Sequence, residues 1–65
     1  MPTKRDIILE QINHIEKDQI INITTKNMNY YEGQFEKYNS SLGVLVMKIK
    51  EQFKYISFDD IQTVF

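Results

Sequence analysis

The hydrophobic period of this chain changes once, near Gln19, and that change limits the folds open to it. Before it, Ile8, Leu9, Ile12 and Ile15 recur three to four residues apart, the apolar stripe of an amphipathic helix. Lys4, Arg5, Glu10, Gln11, Asn13 and Lys17 fall on other faces. Thr3-Lys4-Arg5-Asp6 has the form of a capping box, in which the Thr3 hydroxyl accepts from the Asp6 amide and Asp6 reaches back. Pro2 stands just before it, where no helical amide is needed. The pattern predicts a helix over 4–17. A helix of that length is marginal alone in water, so it must dock on the rest of the chain.

After Gln19 the period is two. Ile21-Asn22-Ile23-Thr24-Thr25 alternates and is β-branched, which predicts a first strand. Lys26-Asn27-Met28-Asn29 is a turn, because Asn tolerates left-handed backbone and bonds its own chain. Tyr30 to Tyr38 is a second strand, with Tyr31, Gly33, Phe35 and Lys37 on one face and Tyr30, Glu32, Gln34 and Glu36 on the other. Gly33 in mid-strand marks a bend, a bulge or a close backbone approach. Asn39 to Gly43 is a longer turn, Val44 to Ile49 a third strand, and Lys50-Glu51-Gln52 a third turn. Phe53 to Phe58 is a fourth strand. Ser57 to Asp60 is a tight turn whose Ser and Asp side chains can bond backbone amides. Ile61 to Phe65 is a short fifth strand.

Five strands in so little chain cannot build a large sandwich. They fit a small, strongly bent barrel in which one long strand is kinked at Gly33 and serves two sheets. The expected fold is therefore mainly β: an N-terminal helix followed by a five-stranded, strongly bent small barrel, an arrangement that resembles the Sm-like and SH3-like folds. It forms one domain over residues 1–65, with strands over about 19–65.

Composition bounds the function. A chain of 65 residues without Cys has no disulfide, thiol chemistry or zinc finger to staple a small core. Stability must then come from an idealised core or from association with another chain. The absence of Cys, of a long apolar run and of a signal-type N-terminus predicts a cytoplasmic protein with no role in the membrane. The formal charge is −1, whereas a dedicated phosphate binder is usually basic. The charge is unevenly spread, with five lysines against three glutamates over residues 19–58 and acidic residues gathered in the first 18 and at Asp59-Asp60.

The order of helix, strands and turns resembles the Sm-like small barrels, Hfq among them. Ile21-Asn22-Ile23 followed by Tyr31 to Asn39, with Gly33 inside, is similar to the first Sm motif, and Tyr55 to Val64 is laid out like the second. This resemblance implies RNA binding through Tyr38 and Asn39, and rings in which the fourth and fifth strands pair between subunits. The chain departs from it at Tyr55-Ile56-Ser57, where Hfq has Tyr-Lys-His and other Sm proteins Arg-Gly. The chain also resembles the C-terminal half of YolD-like proteins, in Ile23-Thr24, in Tyr30-Tyr31-Glu32-Gly33 and in Tyr55 to Ile61. That likeness implies a phage- or plasmid-type regulatory setting, and the Ile/Asn/Lys-rich composition suits such genomes.

No motif supplies a nucleophile, a metal site or a phosphate loop, so no catalytic residue, metal, cofactor or small-molecule substrate is expected. His14 is the only His and lies at the edge of the helical stripe. Asp59-Asp60 is explained by turn chemistry. Two sets of residues remain. Lys26, Asn29, Tyr30, Lys37, Tyr38, Asn39 and Lys54 offer aromatic stacking, base-edge readers and phosphate contacts to a nucleic acid. Ile56, Phe58, Val64 and Phe65 offer a hydrophobic edge to a second copy or to a larger protein. The expected activity is that of a non-enzymatic binding module, oligomeric and acting through an edge strand and an aromatic patch. The alternative is an Sm-like binder of RNA or single-stranded nucleic acid.

Overall fold

The computed structural model describes residues 3–65. The placing of Pro2 lies outside them. Thr3 caps the helix as its sequence predicts. Its hydroxyl accepts from the Asp6 amide at 3.2 Å, and its own amide donates to the Asp6 carboxylate at 3.1 Å. Helix α1 runs over Lys4–Asn13, shorter than the stripe suggested. The reason lies downstream. Asp18 and Gln19 are drawn into the sheet, where the Asp18 amide donates to the Phe35 carbonyl and the Phe35 amide to that of Gln19. The chain must therefore leave the helix early enough to reach Phe35. Ile8 and Ile12 are buried, and Leu9 and Ile15 pack partly buried beside them.

The strands are β1 Ile20–Thr25, β2 Tyr30–Asn39, β3 Val44–Ile49, β4 Gln52–Ser57 and β5 Ile61–Val64. They form one antiparallel sheet in the order β4-β3-β2-β1-β5. The expected closed barrel is not formed. Closure needs a ladder between β4 and β5, but the 3₁₀ turn Phe58–Asp60 leads the chain onto β1 instead, and β4 and β5 become the two edges. That turn buries Phe58, and Ser57 makes no side-chain cap, contrary to the expected turn chemistry.

β2 is the long strand shared by two ladders. Tyr30 to Gln34 pairs with β1 and Gln34 to Asn39 with β3, so Gln34 alone belongs to both. Gly33 sits at this crossing. A Cβ there would lie 2.4 Å from the Lys48 carbonyl oxygen and 2.8 Å from Ile49 Cγ1, so the close backbone approach leaves no room for a side chain. Next to it the register shifts between Phe35 and Lys37, with Glu36 as the unpaired residue of a bulge. The bulge corrects the expected facing: Phe35 points inward, Lys37 outward, and Tyr38 turns back toward the core.

Ile21, Ile23, Leu45 and Met47 are fully buried between the sheet's concave face and the helix, together with Phe35, Ile56, Phe58, Ile61 and Val64. The first turn also differs from expectation. There Met28, and not an Asn, takes the left-handed backbone, with φ of 67°. Thr25 holds that turn, its hydroxyl accepting from the Asn29 amide at 3.2 Å.

Candidate functional site

The turn between β3 and β4 decides what the last hairpin shows to solvent. Lys50 and Glu51 have φ of 50° and 70°, so the loop is a two-residue turn of the I′ kind, one residue shorter than expected. In such a hairpin the closing pair, Ile49 and Gln52, exchanges both backbone bonds, and every second pair after it does likewise. Met47 with Lys54 and Leu45 with Ile56 therefore bond face to face. The Phe58 amide, which donates to the Gly43 carbonyl at 2.7 Å, continues that phase. The intervening residues, Phe53, Tyr55 and Ser57, direct their amides and carbonyls outward from the sheet. No strand pairs with them.

The same residues carry exposed rings. Phe53 is 55% and Tyr55 67% exposed, and both stand on the convex face of the sheet. Tyr55, Val46 and Lys37 form one row across three strands, and Phe53 stands beside Lys48 in the next. Val46 is buried although it faces away from the main core, because Glu36, Lys37, Phe53 and Tyr55 surround it. They leave a shallow recess of about 180 Å³ above it.

A second recess, of about 140 Å³, opens on the concave side of the same edge. Asn27, Asn29, Tyr31, Lys54, Ser57 and Asp60 contribute to its lining. The Lys54 ammonium lies 4.9 Å from the centre of the Tyr31 ring, a cation–π contact. Among the described residues Lys54 has no ion-pair partner, whereas Lys48 approaches Glu51 at 3.9 Å and Lys17 approaches Glu36 at 3.4 Å.

The residues expected to contact nucleic acid are dispersed by this fold. Asn29 and Lys54 meet at the concave recess. Lys37 stands on the convex face. Lys26 lies beside Arg5 and Phe58 under the helix, its amide donating to the Asp60 carbonyl at 2.8 Å. The exposed Tyr30 hydroxyl donates to the Asn22 side chain. Tyr38 packs half-buried against Phe58, with ring centres 5.8 Å apart. Asn39 Oδ1 accepts from the Leu42 amide at 3.2 Å and holds the turn.

The hydrophobic set divides as well. Ile56, Phe58 and Val64 are buried in the chain's own core, and their side chains are not on the surface. Phe65 alone is exposed, with its backbone bonded both ways to Asn22. On β4 the exposed rings are instead those of Phe53 and Tyr55. Reading the hairpin loop as two residues would have paired Ile56 with Leu45 and turned Phe53 and Tyr55 outward.

The acidic pair is divided too. Asp59 forms an ion pair with Arg5, whose guanidinium lies 4.9 Å from the centre of the Phe58 ring, while Asp60 faces the concave recess. Among the described residues no cluster of three or more His, Cys, Asp or Glu side chains is placed to hold a metal ion. No helix among them is long and apolar enough to cross a membrane. Compared with family models, with curated proteins and with solved structures, the chain matches none.

Proposed function

We propose that this chain is a non-enzymatic cytoplasmic binding module that adds a strand of another chain to the free edge of β4, beside an aromatic patch. One observation carries the reading: Phe53 and Tyr55 offer outward backbone bonds and exposed rings from the same residues. Backbone bonds give such an edge its affinity, and side chains on alternate faces give it selectivity. Proteins that do not use an edge blunt it by shortness, charge or cover. The inferred setting, phage- or plasmid-type regulation, rests on the resemblance to YolD-like proteins.

A second reading, an Sm-like ring that binds RNA, draws on two features. β4 and β5 are the two sheet edges, as pairing between copies requires, and the concave recess gathers Asn29, Tyr31 and Lys54.

Native mass measurement together with hydrogen exchange tests both. A slow-exchanging Phe53 and Tyr55 pair in a hexamer or heptamer would support the ring. Fast exchange at both amides in a monomer, slowed by a bound partner, would support the binding module. Absence of binding to U-rich or A-rich RNA at ~50 mM salt, where phosphate contacts are strongest, would remove the nucleic-acid reading.

A further inference from the structure

We infer that the strand taken up by β4 comes from a different protein and has the pattern apolar–acidic–apolar. This inference rests on the edge-strand reading and specifies its partner. An antiparallel strand bonded to Phe53 and Tyr55 places two of its residues directly opposite them. Those two share the convex face, where the rings of Phe53 and Tyr55 and the recess above Val46 favour apolar side chains. The residue between them lies opposite Lys54 and on the other face, because side chains alternate along a strand. There it meets the Lys54 ammonium, held over Tyr31 and without an ion-pair partner among the described residues. Asn27 and Asn29 line the same recess with side-chain amides that can donate to a carboxylate. Asp60 also lines it but lies beyond ion-pair distance of Lys54.

The chain's own second edge does not meet this requirement. Phe65 and Asn22 exchange both backbone bonds, which turns the Val64 amide and carbonyl outward, and the register shift at Thr24/Thr25 leaves Gln62 as the unpaired residue of a bulge. β5 of a second copy contains no Asp or Glu to set against Lys54, and its apolar residues Ile61 and Val64 are buried in that copy's own core.

Short Gly/Ser-flanked peptides with the cores Val-Glu-Val, Val-Gln-Val, Val-Lys-Val and Ser-Glu-Ser test the inference by fluorescence anisotropy against the full chain at ~50 mM salt. Val-Glu-Val is expected to bind about threefold tighter than Val-Gln-Val, the span of an exposed ion pair, and Val-Lys-Val more weakly again. Ser-Glu-Ser is expected to bind about tenfold more weakly than Val-Glu-Val. The Lys54→Glu chain should invert the order of Glu and Lys, and Lys54→Gln should flatten it, with unchanged circular dichroism in both. N-methylation of the peptide amides facing Tyr55 should abolish binding.

Equal affinity for Glu, Gln and Lys cores would overturn the acidic partner and leave strand pairing intact. Phe53 and Tyr55 amides already protected in an oligomer without peptide would overturn it in favour of a second copy. No binding by any peptide, with both amides exchanging freely in a monomer, would overturn this inference and the edge-strand reading together.

Discussion

β4 and β5 are both edge strands, yet the fold treats them differently. β5 is four residues long, buries Ile61 and Val64, and has α1 packed beside it. β4 is six residues long, and Ile56 is its only buried side chain. Shortness and a covering helix are two of the devices by which proteins protect an edge. The contrast teaches that one edge is used to finish the core and the other is left available. Strand membership alone would not have separated them; length, burial and the helix beside β5 do.

The largest test of this contrast lies in β5. Ile61→Ala should cost about 3–4 kcal/mol in urea unfolding, since it empties a fully enclosed site next to β1. A domain of this size has only ~3–5 kcal/mol to lose, so the variant should sit near its midpoint without denaturant. The join between the two halves comes next. Gly33→Ala forces a methyl group against the Lys48 carbonyl, and a loss of about 3 kcal/mol is expected, visible as a lowered thermal midpoint. A wild-type midpoint for this variant would mean that β2 does not cross as tightly as its backbone shows.

Replacing Lys50-Glu51 by Asn-Gly acts in the other direction. Both residues hold left-handed backbone that Asn and Gly adopt more readily, so the pair should gain about 1 kcal/mol while peptide binding at β4 stays the same. A gain in stability with lost binding would show that the edge needs a loose hairpin. Smallest of all are Phe53→Ala and Tyr55→Ala, each expected to shift stability by less than about 0.5 kcal/mol while weakening uptake of a strand. If Tyr55→Ala destabilised the chain as much as Ile61→Ala, the distinction between the edges would fail.

The sequence disclosed what depends on local pattern. The Thr3–Asp6 cap, the alternation of Ile21 and Ile23, and the special place of Gly33 each follow from residue type and spacing, and each stands in the structure. What it hid depends on count and closure. The bulge at Glu36 has no residue signature, yet it moves Lys37 to the convex face and Tyr38 toward the core. The two-residue loop at Lys50-Glu51 likewise decides which face of β4 is which, turning Ile56 into the core and Phe53 and Tyr55 outward. Barrel closure depends on where the 3₁₀ turn sends the chain, and no side-chain pattern records that. The candidate site was therefore legible as a strand and as a composition, but not as a face.

The ladder between β1 and β5 carries a consequence for how the chain folds. Every other ladder joins neighbours in sequence, so β1 through β4 can zip up by successive short loops. β5 must close the long span from Thr25 to Ile61 before its bonds reward the ordering. Until it does, Ile21 and Ile23 lack the cover of Ile61 and Val64, and β1 is itself a bare edge. During that interval the six-residue β1 is exposed as an edge, and the arrival of β5 replaces it with a four-residue edge that has α1 beside it.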